Sequence, residues 1–166
     1  MRSSRIALTV TAIVAMAVPS AAALSPRDRI SHSGLGPIKL GMTEVQIERA
    51  AKRHITLGSS PGVDCAFATL AGKTQGLFTA RRLRRIYIRT PRFATAKGVR
   101  VGSSERRVLA AYPNQLRREP QKYRPQEDDL VLRKGSRKII FTLNDGSVEE
   151  ISTGRVPEID LVEGCS

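Results

Sequence analysis

The chain has 166 residues, 28 Lys plus Arg against 15 Asp plus Glu, a formal net charge of +13 and an apolar fraction of 40%. This length suits a single domain, and the apolar fraction is too high for a disordered chain, so we expect one packed core. The composition excludes collagen-like, low-complexity and multi-pass membrane proteins. Arg supplies 21 of the 28 basic residues, which could reflect either recognition of anions or genome composition.

The first 23 residues have the layout of a secretory signal peptide. Arg2 and Arg5 precede an uncharged run at 6–18, and Ala21 and Ala23 supply the small side chains typical of a cleavage site. The uncharged run of 13 residues is shorter than the ~20 needed to span a bilayer, which favours a cleaved signal over an uncleaved anchor. We therefore expect cleavage near Ala23 and a soluble periplasmic or extracellular protein without a transmembrane span.

Cys65 and Cys165 are the two cysteines of the chain. Export would place them in a compartment where disulfides persist, and their number is even, so we predict that they are bonded. The alternative, a nucleophilic thiol at one of them, is disfavoured because neither cysteine has a histidine nearby in the sequence.

Two segments of the chain share a pattern that indicates an internal duplication. Residues 38–50 and 99–111 both read apolar, basic, apolar, Gly, any residue, Ser or Thr, Glu, and apolar three positions later, at an offset of 61. Residues 83–87 match 148–152 at an offset of 65, which places a four-residue insertion within 113–128. We prefer duplication to coincidence because the matches agree in order and offset.

Each copy begins with a predicted helix and continues with predicted strands. Thr43 and Ser104 are good helix N-caps, and Thr43 with Gln46 fits a capping box. The predicted strands are 64–70, 76–80 and 83–90 in the first copy, and 129–133, 137–143 and 147–153 in the second, with hairpin turns at 134–137 and 144–147. The predicted fold class is therefore α+β, a tandem duplication of a helix plus a three-stranded antiparallel meander, packed as a two-layer α/β sandwich.

The predicted organisation is a signal peptide (1–23), an N-terminal linker (24–35), a first repeat (36–95) and a second repeat (96–166) that forms one domain with the first.

The segment Gly41-Met42-Thr43-Glu44, with an apolar strand end before it and a helix and meander after it, resembles the helix entry of BamE-like proteins (the SmpA/OmlA type). The two-copy arrangement is similar to exported tandem versions of that fold, the β-lactamase-inhibitory-protein-like proteins. The resemblance covers most of 36–153 and implies fold and extracytoplasmic location, since this helix entry carries no catalytic residue. The sequence departs from the pattern at Ser103, where Met is expected, and has no lipid-attachment cysteine, so no binding site is carried over.

The sequence offers no set of catalytic or metal-binding residues. His32 and His54 lack a second ligand at zinc spacing and are interpreted as solvated polar side chains. Gly72-Lys73-Thr74 lacks the upstream glycine of a phosphate-binding loop, because position 67 is Phe, and Glu127-Asp128-Asp129 lacks the pattern of a calcium loop. We therefore predict a protein that is not an enzyme and has no cofactor or metal.

The positive charge is concentrated in the middle of the chain. Residues 81–124 hold 14 basic residues against two acidic ones. Alternation along 85–89 places two arginines and a tyrosine on one face of a strand and two isoleucines on the other. The predicted anion- or partner-binding residues are Arg81, Arg82, Arg84, Arg85, Tyr87, Arg89 and Arg92. Such a patch favours phosphate or carboxylate groups, although arginines can also simply keep an exposed sheet solvated.

These observations predict an exported, non-enzymatic cell-envelope protein, a binding or scaffold module whose basic sheet face contacts an anionic envelope component or an acidic protein. Nucleic acid is not expected as a partner. The alternative function is inhibition of a secreted or periplasmic enzyme, which rests on fold analogy alone.

Overall fold

The computed structural model describes residues 24–59 and 64–161. The predicted signal peptide and Cys165 lie outside the described residues, so both stay predictions. Within the described ranges, no helix is both long and apolar enough to cross a membrane.

The described chain forms two short helices and twelve strands. The helices are α1 (Glu44–Ala51) and α2 (Glu105–Ala111). The strands are β1 (Arg29–Ser31), β2 (Gly34–Leu35), β3 (Ile38–Lys39), β4 (Gly58–Ser59), β5 (Cys65–Ala71), β6 (Thr74–Thr79), β7 (Arg82–Ile88), β8 (Ala94–Thr95), β9 (Leu116–Pro120), β10 (Asp128–Lys134), β11 (Arg137–Asn144) and β12 (Ser147–Arg155).

The strands form two sheets. The large sheet has eight strands in the order β4-β5-β6-β7-β12-β11-β10-β9, and all neighbours are antiparallel. Its two halves meet where β7 pairs with β12, in a register that aligns Ile88 with Ile151 and Arg85 with Gly154. The small sheet has four strands in the order β3-β2-β1-β8, of which β1 and β8 are parallel.

The main core lies between one face of the large sheet and a cover made of the small sheet and both helices. Leu35 of β2, Ile47 of α1 and Val108 of α2 pack into the same cluster as Ile86 and Phe141 of the large sheet, and all five are fully buried. Burying side chains of this kind contributes about 1.5–3 kcal/mol each. The opposite face of the large sheet carries polar groups together with two smaller buried apolar clusters.

The predicted helix caps are confirmed. Thr43 Oγ1 accepts a hydrogen bond from the Gln46 backbone N–H at 3.4 Å, and the Gln46 side-chain oxygen accepts from the Thr43 N–H at 2.9 Å, which completes the capping box. Ser104 Oγ accepts from the Arg107 backbone N–H at 3.3 Å. These bonds satisfy amides that the first helical turn leaves unpaired.

The two helix entries make the same backbone contact. Gly41 N–H donates to the Leu83 carbonyl at 2.7 Å, and Gly102 N–H donates to the Val148 carbonyl at 2.8 Å. Both glycines have positive φ, +90° and +85°, which glycine adopts at little steric cost. Each entry is thereby held to a strand of the large sheet, while duplication of the sequence stays a prediction.

The predicted fold class, an α+β tandem duplication of a helix plus a three-stranded meander in a two-layer sandwich, was wrong. The described chain is mostly β, with helices of only eight and seven residues and sheets of four and eight strands. The three-stranded sheets predicted for the two units are instead parts of one sheet, because β7 and β12 pair directly. Two-turn helices cannot cover an eight-stranded sheet, and strands within 24–35, a segment predicted to be a linker, supply part of the cover.

At the level of single elements the sequence predictions hold. All six predicted strands are strands of the large sheet, with ends that differ by a few residues. The two predicted hairpin turns are confirmed by the pairing of Lys134 with Arg137 and of Asn144 with Ser147.

Candidate functional site

The alternation predicted for β7 is confirmed, but the arginine face is not an open patch. Ile86 and Ile88 are fully buried in the main core, whereas Tyr87 belongs to a separate cluster on the other face. The guanidinium carbons of Arg85 and Arg89 lie 4.2 and 5.5 Å from the centre of the Tyr87 ring, within cation–π range. Arg85 is only 8% exposed and Tyr87 only 7%, so of the three only Arg89 is presented to solvent.

Glu150 compensates the charges of Arg85 and Arg89. Its Oε2 lies 2.7 Å from Arg89 Nε, and its Oε1 lies 3.9 Å from Arg85 Nη2. Ser152 Oγ donates to Glu150 Oε1 at 2.7 Å and accepts from Arg85 Nη2 at 3.1 Å. Arg85 Nη1 donates to the Leu161 carbonyl at 3.0 Å. This network ties β7 to β12 and to the residues after β12, so its arginines are already committed to partners within the chain.

The four other predicted arginines also have partners within the chain, two through ion pairs and two through hydrogen bonds, at separate places. The pairs are Arg81 with Glu44 (3.7 Å), Arg82 with the Gly41 carbonyl (3.0 Å), Arg84 with Glu158 (3.5 Å) and Arg92 with the Leu24 carbonyl (2.7 Å). Arg81 and Arg82 lie at the β6–β7 turn beside α1, whereas Arg92 follows β7. The structure therefore brings together Arg85, Tyr87 and Arg89 and does not gather all seven residues into one patch.

A cavity of about 480 Å³ on the open face of the large sheet has mixed charge. Arg85, Asp129 and Lys138 line it, and Lys138 Nζ lies 2.7 Å from Asp160 Oδ1. Burial raises the pKa of the Asp129 carboxyl, while a hydrogen bond to Thr142 opposes that rise. With cations and carboxylates side by side, this cavity has no preference for a ligand of one sign.

A second cavity, of about 560 Å³, lies between the β1–β2 turn and the β10–β11 hairpin. It is lined by Ser31, His32, Ser33, Lys134, Gly135, Ser136 and Arg137, and we call it the cationic groove. None of these lining residues is acidic. In the described part of the chain, neither Lys134 nor Arg137 forms an ion pair with a carboxylate.

The strand register places like charges opposite one another beside this groove. Lys134 of β10 aligns with Arg137 of β11, and Arg137 in turn aligns with Arg155 of β12. Like charges directly opposite in an antiparallel sheet destabilise the pairing. An anion seated in the groove would offset this repulsion.

His32 lies against the hairpin in a defined tautomer. Its Nε2 is 3.2 Å from the Leu132 carbonyl, and because a carbonyl only accepts, Nε2 carries the proton and leaves Nδ1 as an acceptor in the neutral ring. Burial lowers the pKa of His32, the Leu132 hydrogen bond opposes this, and the charges of Lys134 and Arg137 lower it further. The ring is therefore held towards its neutral form next to two cations.

The turn that carries His32 is fixed on the large sheet. Thr153 Oγ1 donates to the Ser31 carbonyl at 2.7 Å, and the Ser31 and Ser33 hydroxyls are 2.9 Å apart. The next residue, Gly34, has φ +137°, a conformation that side chains rarely adopt. The position of His32 relative to the hairpin therefore follows from contacts on both sides of the turn.

The sequence does not reveal this groove. It predicts only a hairpin turn at residues 134–137 and a solvated side chain at His32. A pair of cations flanking a Gly-Ser turn is visible in the sequence, but nothing local shows that a turn about 100 residues earlier packs against it.

The structure describes one of the two cysteines of the predicted disulfide. Cys65 begins β5 and is buried beside Leu77 and Tyr87. Cys165 lies outside the described ranges, so the bond between the two cysteines stays a prediction.

Within 24–59 and 64–161, no three His, Cys, Asp or Glu side chains are grouped so as to hold a metal ion.

Comparisons with known proteins show similarity of fold. No family model matches the sequence, and no curated protein matches it. The structure is similar to the uncharacterized protein yfeY from Escherichia coli, with a TM-score of 0.51 and 12% identity over 76% of this chain and 99% of that one. It is also similar to an extracellular protein containing a SCP domain from Bacillus anthracis str. Ames, with a TM-score of 0.52 and 6% identity over 90% of this chain and 50% of that one. Neither is described as BamE-like or as an inhibitory protein, so that resemblance stays a prediction; at such low identities the shared property is the fold.

Proposed function

We propose that this chain is an exported, non-enzymatic binding protein of the cell envelope that contacts an anionic envelope component through its cationic groove. The observation that carries the proposal is the presence of two exposed cations, Lys134 and Arg137, in a concave site without an acidic lining residue. The proposal that the protein is exported rests on the signal-peptide layout of residues 1–23.

The cationic groove is a better candidate than the arginine face of β7. An anion that approached Arg85 or Arg89 would have to displace Glu150, which already lies 2.7 Å from Arg89. At Lys134 and Arg137 an anion would have no carboxylate to displace. The Lys134 ammonium and the Arg137 guanidinium therefore remain available for charge-assisted hydrogen bonds to phosphate or carboxylate oxygens.

The size of the groove favours a compact anionic group over a folded acidic protein. A cavity of about 560 Å³ fits a headgroup or a similar small moiety. A stable protein partner would need about 800 Å² of surface on each side, which a groove lined by seven residues does not provide.

The proposal can be tested by co-sedimentation with lipid vesicles of residues 24–166, the form expected after signal cleavage, which we call the mature protein. Vesicles of phosphatidylcholine with phosphatidylglycerol are compared with vesicles of phosphatidylcholine alone, at about 0.01 M and about 1 M salt, where the screening length falls from about 30 Å to about 3 Å. We expect binding to the anionic vesicles at low salt and loss of binding at high salt. Absence of binding to anionic vesicles at low salt, or capture of an acidic protein in their place, would overturn the envelope assignment.

A pair of double variants separates the groove from general charge. Lys134→Ser with Arg137→Ser removes the two groove cations, and Lys97→Ser with Arg106→Ser removes two exposed cations elsewhere. Both variants lose the same charge, so a site-specific contact predicts that only the first loses vesicle binding. Equal loss in both variants would show non-specific attraction and contradict the proposal.

A further inference from the structure

The donors of the cationic groove suit an anion with more than two oxygens. Lys134 offers a compact ammonium with three donors, and Arg137 offers a planar fork of five. The Ser136 hydroxyl lies in the same lining. A carboxylate has two oxygens and one charge, and would leave one of the two cations uncompensated. A free phosphate ion or a phosphate monoester can carry two charges and presents oxygens to both side chains at once, whereas a phosphodiester carries one charge.

The row of cations across the hairpin gives a doubly charged ligand a further advantage. Lys134, Arg137 and Arg155 align across three neighbouring strands. Their mutual repulsion is present in the folded protein without any ligand. A dianion between the first two reduces that repulsion in addition to forming its own hydrogen bonds.

His32 adds a group whose charge can change. The groups that face it are the Lys134 ammonium from β10, the Arg137 guanidinium from β11 and the Leu132 carbonyl, and the groove lining contains no carboxylate. When His32 is neutral, its ring adds no charge to the groove that it lines. When it is protonated, Nδ1 becomes a donor and the ring becomes a third cation. A bound anion offsets the two neighbouring charges, so anion and proton each favour the binding of the other.

We propose that the cationic groove is a phosphate site in which a doubly charged phosphate group, free or as the terminal monoester of a lipid headgroup, binds Lys134 and Arg137 and gains affinity when His32 takes up a proton. This inference rests on the proposed function, because it names the chemistry of the anion at the same groove and adds its dependence on pH.

Sulfate is the first probe, because it stays a dianion between about pH 5 and 8, the range in which histidine titrates, whereas the second pKa of a phosphate ester is about 6. The imidazole signals of the mature protein are followed by NMR against pH, in sulfate and in chloride of equal ionic strength. We expect sulfate to raise the pKa of His32 and to bind several-fold more tightly at about pH 5 than at about pH 8. His54, which pairs with Glu48 on α1 at 2.6 Å, is the internal reference and should respond to sulfate no more than to chloride.

Two variants show whether the effect belongs to the groove. His32→Gln keeps an N–H donor for the Leu132 carbonyl, so the protein should fold and bind sulfate with the pH dependence removed. Lys134→Ser with Arg137→Ser should abolish the effect of sulfate on His32. An equal response of His32 and His54, or an unchanged pH dependence in His32→Gln, would overturn the inference.

Inorganic phosphate, glycerol phosphate and vesicles that contain phosphatidic acid, whose headgroup is a phosphate monoester, then distinguish the sources of the group. Saturation by inorganic phosphate as readily as by glycerol phosphate identifies a site for the free ion, whereas stronger binding of glycerol phosphate identifies a headgroup site. If sulfate and phosphate act on His32 but vesicles do not bind, the phosphate site stands and the proposed envelope function fails. If vesicles bind through the groove but neither anion acts on His32, the proposed function stands and this inference fails.

Discussion

Replacing Glu150 with Gln tests whether Arg85 and Arg89 serve the fold. Glu150 Oε2 lies 2.7 Å from Arg89 Nε, and its Oε1 accepts from Ser152 Oγ at 2.7 Å and lies 3.9 Å from Arg85 Nη2. Gln has nearly the same size as Glu and can still accept from Ser152, but it removes the negative charge that both guanidinium groups face.

The expected magnitude follows from the difference in burial between the two arginines. Arg85 is 8% exposed, and removal of the partner of a buried charge costs about 3–5 kcal/mol. Because the Arg85 contact is long, we expect the lower end, about 3 kcal/mol. The Arg89 side chain is 50% exposed, so Arg89→Gln should cost about 1 kcal/mol or less, since Glu150 would keep Arg85 and Ser152 as partners.

The measurement is urea unfolding of the mature protein, followed by far-ultraviolet circular dichroism. The free energy of unfolding is compared for wild type, Glu150→Gln and Arg89→Gln, and an unchanged slope against urea shows that the two end states are comparable. A loss below about 1 kcal/mol in Glu150→Gln would refute the reasoning, since it would show that Arg85 is effectively solvated and remains available to a partner.

Three further predictions concern the turn, the open-face cavity and the cysteines. Gly34→Ala should lower the melting temperature, because the added Cβ would collide with the Ile38 carbonyl at a φ of +137°; a wild-type melting temperature would contradict the described turn. Burial raises the pKa of Asp129, so its protonated form stabilises the fold at low pH and that contribution is lost as pH rises through the folded-state pKa. Asp129→Asn should therefore be more stable than wild type at pH 7, by a margin that shrinks on acidification, and a margin independent of pH would argue against burial as the cause. A thiol count on the unreduced, denatured mature protein should find no reactive thiol, whereas two would exclude a Cys65–Cys165 bond.

The local features could be predicted from the sequence because they depend on neighbouring residues. The Thr43 capping box, the glycine turns of the hairpins and the alternation along β7 each involve residues a few positions apart. Side-chain chemistry and backbone periodicity are sufficient to predict such features from the sequence.

The arrangement of these features depends on contacts between residues that are far apart in the sequence. The pairing of β7 with β12 decided the fold, and no local pattern specified it. Strands of two or three residues, such as β1 and β2, are too short to show periodicity. The count of arginines within 81–124 predicted a charged face, but Glu150 and Glu158, which compensate Arg85 and Arg84, come from the later, more acidic part of the chain. The predicted binding face therefore contains a network of ion pairs within the chain, and its role in binding stays a prediction.

The most direct measurement of binding at the cationic groove is an NMR map of the backbone amides of the mature protein during titration with a short-chain phosphatidic acid, below its micelle concentration and at low salt. We expect the shifts to concentrate at residues 31–33 and 134–137, on the two sides of the cationic groove. Shifts confined to β7 around Arg85 and Arg89, or the absence of any localised change, would contradict binding at the groove.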